Sequence, residues 1–116
     1  MNVEKICSLF TLFSGETDVT KYMSFINSAM YDVLPRLKKD ADLCDERLSF
    51  LCAAIANLRY MQIMGLRDRL TYTYAGSVAQ NDNSEKKSKL AENLVREYWL
   101  SISDLTDDSS FIFIKV

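Results

Sequence analysis

Two clusters of carboxylates are the side chains of this sequence best suited to chemistry. Their members are Asp40, Asp42, Asp45 and Glu46 in the first cluster and Asp104, Asp107 and Asp108 in the second. Paired carboxylates can serve as general acid and general base, and a group of them can hold a cation. Both clusters fall at the ends of predicted helices, where acidic side chains satisfy free N–H groups and the helix dipole. We therefore interpret the first cluster as helix capping and the second as a solvated turn or, at most, a weak cation site.

The other side chains that carry chemistry are few. The sequence contains no histidine, which removes the commonest general base near neutral pH, and it has no nucleotide-binding or nucleophile motif. Cys7, Cys44 and Cys52 are odd in number and lack a CxxC spacing, so they predict reduced thiols rather than disulfides or a zinc site. The sequence therefore predicts a protein that is not an enzyme and takes no cofactor.

Composition is typical of one folded globular domain covering residues 1–116. Hydrophobic residues make up 48% of the chain and charged residues 26%. Fourteen basic residues against 16 acidic ones give a net charge of -2, with no basic patch that would indicate sequence-specific nucleic-acid binding. No signal peptide or membrane-spanning segment is predicted.

Apolar residues at helical spacing predict four helices. The first ends at Ser14 and Gly15, and the second starts at an Asp18 N-cap and kinks or ends near Leu34, because Pro35 interrupts it. The third begins near Asp42 or Asp45 and ends at Gly65. It is apolar on nearly every face, so it lies at the centre of the bundle or meets another subunit. The fourth helix is predicted at residues 85–105, with an apolar stripe of Leu90, Leu94, Tyr98, Ile102 and Leu105.

Two short segments are rich in β-forming residues. Residues 70–74 alternate with a period of two, and residues 111–116 contain the apolar run Phe-Ile-Phe-Ile. The predicted fold class is therefore mainly α, a bundle of about four helices with a minor β element formed by these segments. A short strand exposes unpaired N–H and C=O groups that readily pair with another chain. The C-terminal segment pairs either with residues 70–74 of the same subunit or with a neighbouring subunit.

Protein interfaces are the predicted functional sites. Arg59 is the one charge in an apolar stretch, and it either anchors a carboxylate of a neighbouring helix or subunit or extends its long side chain into solvent. A half-polar segment with two tyrosines is typical of an interface. The predicted interface residues are Arg59, Leu70, Tyr72, Tyr74, Val78, Phe111, Phe113 and Ile114.

The order of these elements resembles the head-tail connector, or adaptor, proteins of tailed bacteriophages and their prophage relatives. The matching features are a short first helix before the acidic turn SGETD at residues 14–18, an amphipathic second helix, the alanine-rich RLSFLCAAIANLRY at residues 47–60, and TYTYAGSV at residues 71–78. The resemblance covers most of the chain. It implies a helical protein that forms a homo-oligomeric ring and contacts portal and tail or neck proteins, located in the virion or the host cytoplasm.

The expected function is therefore structural. A phage connector or neck component that bridges protein rings is the first hypothesis, and a tail-completion protein is a related one. Two alternatives from other classes are a dimeric regulatory or host-directed binding protein and an enzyme that relies on carboxylates alone.

Overall fold

The computed structural model describes the backbone of residues 1–75 and 78–107 and the side chains of residues 1–65 and 86–107. These residues form four α-helices, which confirms the predicted mainly α bundle. Their bounds are Val3–Ser14 (α1), Met23–Val33 (α2), Glu46–Ala75 (α3) and Val78–Ser101 (α4). Short 3-10 turns precede α2 (Val19–Tyr22), follow it (Leu34–Arg36) and follow α4 (Ser103–Leu105).

The ends of α1 and α2 follow from local sequence. Helix α1 stops at Gly15, whose φ of 79° is left-handed and whose N–H donates to the Thr11 carbonyl, as predicted. Asp18 accepts a hydrogen bond from the Thr20 N–H at 3.1 Å, which confirms it as an N-cap, although the turn that it caps is 3-10. Pro35 lies just beyond the end of α2, which agrees with the predicted break.

Helix α3 is the centre of the bundle, as one of the two sequence interpretations required. It packs against all three other helices, and every side chain from residue 51 to residue 57 is buried. The Asp45 carboxylate accepts from the Arg47 N–H at 3.0 Å and thereby starts the helix. The helices alternate in direction. Lys5 pairs with Glu46, so α1 and α3 start at the same end of the bundle. Arg47 binds the Ser101 carbonyl, so α4 ends where α3 starts and runs antiparallel to it.

The predicted end of α3 at Gly65 and the predicted strand at residues 70–74 are both wrong. Helix α3 continues through these residues to Ala75. A glycine inside a helix costs only about 1 kcal/mol relative to alanine, so a well-packed helix can pass through it. The threonine and tyrosine residues of this segment have weak intrinsic preferences, and packing of α3 against α4 overrides them.

Helix α4 also differs from its prediction. It begins at Val78, seven residues before the predicted start at residue 85. Asn83 and Ser84 suit a helix N-cap, which favoured the later start, but both are tolerated inside a helix that has a packing partner. It ends at Ser101, and the predicted last turn is the separate 3-10 turn. The predicted C-terminal strand, residues 111–116, lies outside the described residues.

Within the described residues, β structure is limited to one antiparallel bridge that no sequence pattern predicted, between Leu37 and Thr106. The Lys38 N–H donates to the Leu105 carbonyl at 2.8 Å, and the Asp107 N–H donates to the Arg36 carbonyl at 3.2 Å. This bridge fastens the segment after α4 to the connection between α2 and α3.

The core lies around the N-terminal half of α3. Its larger fully buried members are Ile6, Phe10, Ile26, Val33, Leu48, Leu51 and Ile102. No described helix has a stretch of 18 residues that is apolar enough to cross a membrane.

Candidate functional site

Arg47 brings together one member of each acidic cluster. Its guanidinium hydrogen bonds to Asp45 with Nη2–Oδ2 at 2.8 Å and to Asp104 with Nη1–Oδ1 at 2.9 Å. Nη1 also donates to the Ser101 carbonyl at 2.8 Å, at the C-terminal end of α4. A guanidinium presents several donors in a fixed plane, which suits two carboxylates and a carbonyl at once. Arg47 therefore joins the start of α3 to the end of α4.

The electrostatics of this junction bear on acid–base chemistry. Hydrogen bonds from Arg47 lower the pKa of both Asp45 and Asp104 below the ordinary value of an aspartate. A carboxyl that acts as a general acid near neutral pH needs a raised pKa instead. The two carboxylates that the fold brings together are therefore suited to holding Arg47 and not to exchanging protons with a substrate. Among the described residues, no three His, Cys, Asp or Glu side chains group closely enough to hold a metal ion.

Arg59 pairs with a neighbouring helix of its own chain. Its guanidinium contacts the Asp32 carboxylate and donates to the Ser28 hydroxyl at 2.6 Å, both on α2. Partial burial lowers the pKa of Arg59. The contact agrees with the interpretation of Arg59 as an anchor for a carboxylate, with α2 supplying that carboxylate.

The three cysteines occupy different environments, and all are free thiols. Cys52 is buried, which raises its thiol pKa to about 12, and its Sγ lies 3.5 Å from Met1 Sδ. Burial and the charge of Glu4 raise the pKa of Cys7 as well. Cys44 is exposed.

A groove lies between the end of α1, the middle of α3 and the first described side chains of α4; its larger part has a mixed polar and apolar lining, and its α4 side is mainly apolar. It has a volume of about 400 Å³, and a smaller depression of about 230 Å³ adjoins it on the α4 side. Side chains that line both parts are Phe13, Asn57, Met61 and Lys87; Leu90 and Leu94 complete the α4 side. Methionine is flexible and polarizable, so a methionine-lined groove can adapt to an occupant.

One wall of the groove is held rigidly. Tyr60 lies edge-on to Phe10, with 5.8 Å between ring centroids, and edge-on to Tyr22 at 5.1 Å. Its hydroxyl donates to the Glu16 carboxylate, which ties the acidic turn after α1 to α3. Aromatic packing and this hydrogen bond fix the α1 side of the groove.

Asn57 places a buried polar side chain in the lining of the groove. The side chain is only 5% exposed, its Nδ2 lies 3.6 Å from Met61 Sδ, and its buried Oδ1 accepts no hydrogen bond from the described part of the chain. A buried acceptor without a donor is costly, since it has lost its water and gained no partner.

The predicted stripe of α4 is only partly used by the core. Ile102 is fully buried and Tyr98 is half-buried against Phe50, but Leu90 is 68% exposed at the edge of the groove. The sequence analysis identified this stripe but did not identify the groove or its residues Phe13, Asn57 and Met61. The length of the stripe was the one signal that part of it stays uncovered. Helix α1, with 12 residues, is too short to cover a helix of 24 residues along its whole length.

Other predicted interface residues lie around the junction of α3 and α4. Leu70, Tyr72 and Tyr74 belong to the last turns of α3, and Val78 is the first residue of α4. Phe111, Phe113 and Ile114 lie outside the described residues, and their interface role stays a prediction. No family model matches this sequence, and no curated protein or solved structure is significantly similar to it.

Proposed function

We propose that this protein is a structural, non-catalytic assembly component that forms a homo-oligomer, in the manner of phage head-tail connector or neck proteins. In this role the oligomer is a ring that bridges portal and tail components. The single observation that carries the proposal is the long hairpin of α3 and α4, which extends past the rest of the bundle.

The dimensions of the hairpin support a bridging role. Helix α3 has 30 residues and α4 has 24, whereas α1 and α2 have 12 and 11. The end of α1 meets α3 near Gly65, at the groove. Residues 66–75 therefore extend about 15 Å further along the axis of α3. A helical arm of this kind can reach a neighbouring subunit while the bundle holds it in place.

The arm carries the predicted interface residues Leu70, Tyr72, Tyr74 and Val78. Tyrosine is enriched at protein interfaces because it buries apolar area while its hydroxyl forms hydrogen bonds. Since residues 70–74 are helical, the mode of contact proposed here is helix packing between subunits and not strand pairing.

Molar mass in solution tests the proposal directly. Light scattering and sedimentation should give a closed oligomer larger than a dimer, with ring-shaped particles in electron micrographs. A mass that stays at the dimer across concentrations would support the regulatory alternative, and a persistent monomer would contradict self-assembly.

A shortened arm tests where the contact lies. Removing residues 67–73 together with residues 79–85 takes about two turns from each helix and nearly preserves the helical register. We expect this variant to remain folded and helical but to lose the large oligomer. Replacing the exposed Lys86 and Lys89 by serine is the control, and it should leave the oligomer intact because those charges lie on a solvated surface.

A further inference from the structure

The N-terminal members of the apolar stripe of α4, Leu90 and Leu94, are not fully buried by the described residues. Leu90 is exposed, Leu94 is half-buried, and both border the groove whose other walls are Phe13 and Met61. Exposed apolar side chains that rim a depression are typical of a binding site for another apolar segment. The groove is open between three helices, so a narrow, extended segment fits it better than a second helix bundle.

The chain itself contains a segment of matching chemistry. Residues 111–114 are Phe-Ile-Phe-Ile, and in an extended conformation Phe111 and Phe113 point to the same side. The Phe and Ile side chains of this segment could pack against Leu90 and Met61, which would bury apolar surface on both sides of the contact.

The distance between segment and groove is within reach of one chain. Asp107 is held at the base of the bundle by its hydrogen bond to the Arg36 carbonyl. Leu90 precedes Ser101, the last residue of α4, by 11 residues, a rise of about 16 Å along the helix. Phe113 follows Asp107 by six residues, which span up to about 20 Å when extended. Phe113 can therefore reach Leu90 without exchange between subunits.

Asn57 indicates the kind of occupant. Its buried Oδ1 lacks a donor, and an extended peptide carries backbone N–H groups that no secondary structure of its own satisfies. Met61, whose sulfur is the present contact of the Asn57 amide, has a flexible side chain that can move to admit such a donor. A hydrocarbon occupant would leave the acceptor unpaired, and a peptide would not.

We propose that residues 111–114 of the same chain dock into the groove of Phe13, Met61, Leu90 and Leu94. The tether favours the chain's own segment over that of a neighbour, because a short linker that can span the two sites gives an effective concentration in the millimolar range. The docking completes the core along α4. It is independent of ring formation, since both partners belong to one subunit.

Disulfide trapping tests the docking and its intramolecular character. The parent protein carries Cys44→Ser, which removes the exposed thiol, and the test pair is Leu90→Cys with Phe113→Cys. The control pair places the first cysteine at Glu92, an exposed position about 160° around α4 from both Leu90 and Leu94 and within about 3 Å of the height of Leu90 along the helix axis. Mild oxidation should give a cross-linked monomer for the test pair at least tenfold faster than for the control pair. Equal rates for both pairs would overturn the proposal, as would a product that is mainly a cross-linked dimer.

Methionine methyl NMR provides a second test without new cysteines. Removing residues 108–116 should shift the methyl signals of Met61 and Met64, which line the groove, and leave those of Met23 and Met30 in place. Adding the missing segment back as a synthetic peptide should reverse the shifts. A truncated protein that is folded but whose Met61 signal is unchanged would contradict the docking, whatever its oligomeric state.

Discussion

The guanidinium of Arg47 lies 2.9 Å from the Asp104 carboxylate, although 57 residues separate the two along the chain. This ion pair joins the first turn of α3 to the 3-10 turn after α4. The same guanidinium binds Asp45, the N-cap of α3, so one side chain connects a helix start, a helix end and the segment that forms the Leu37–Thr106 bridge.

The first prediction concerns acid stability at this junction. Arg47→Met should lower the melting temperature at neutral pH, and the difference from the wild type should shrink in acid. The pKa values of Asp45 and Asp104 are lowered in the folded protein, so their contribution is complete above the unfolded value of about 3.9. That contribution is lost as the pH falls through the lower folded values.

Calorimetry between neutral pH and about pH 2 provides the measurement, over the range where aspartates titrate. Lys39→Met is the matched control, since it removes a positive charge from an exposed position. Its small effect should follow net charge alone. An Arg47→Met penalty that persists unchanged below the folded pKa values would show that packing and the hydrogen bond to the Ser101 carbonyl, and not the two carboxylates, account for the effect of the side chain.

The ends of α1 and α2 were predictable because their signals are local. Gly15, Asp18 and Pro35 each impose a backbone requirement that few other residues meet, so the sequence determines those ends without help from the rest of the fold. The central position of α3 was one of two interpretations that the sequence left open, because a helix that is apolar on all faces requires neighbours on all faces, either from its own bundle or from another subunit.

The errors lie where tertiary packing decides. Residues 70–74 have a strand-like alternation, but the pairing of α3 with α4 keeps them helical. Likewise, neither the Arg47 junction nor the groove has a sequence pattern, because each assembles side chains from distant parts of the chain. The acidic clusters were recognised as helix-end features, yet their meeting on Arg47 required the fold.

A second prediction separates core from surface on α3. Ile55 is 7% exposed and Ile63 is 46% exposed, so the pair compares the same substitution in two environments. Ile55→Ala should cost about 2–5 kcal/mol of unfolding free energy, whereas Ile63→Ala should cost less than about 1 kcal/mol. Urea denaturation measures both. A soluble, stable monomer from Ile55→Asp would instead place Ile55 at a subunit interface.

The third prediction concerns thiol reactivity. Iodoacetamide should modify Cys44 first, because it is exposed, whereas Cys52 should remain unmodified until the protein unfolds. Its pKa of about 12 leaves almost no thiolate near neutral pH, and the thiolate is the reactive form. Mass spectrometry of timed digests follows each site. Replacing each cysteine singly by alanine should preserve folding and assembly. Native-state modification of Cys52 at the rate of Cys44 would contradict this account.

The last prediction uses two glycines with opposite backbone roles. Gly15 has a φ of 79°, and no atom lies within 4 Å of an added Cβ, so Gly15→Ala introduces backbone strain without a clash. The expected cost is about 1–2 kcal/mol. Gly65 lies inside α3, where its φ is not positive and alanine is the better helix former. Gly65→Ala should therefore stabilise the protein by about 0.5–1 kcal/mol. Urea denaturation followed by far-UV circular dichroism measures both effects. If Gly65→Ala were as destabilising as Gly15→Ala, and the circular dichroism of the wild type showed too little helix for an α3 of 30 residues, Gly65 would be a left-handed helix terminus, α3 would end there, and the long arm on which the assembly proposal rests would be lost.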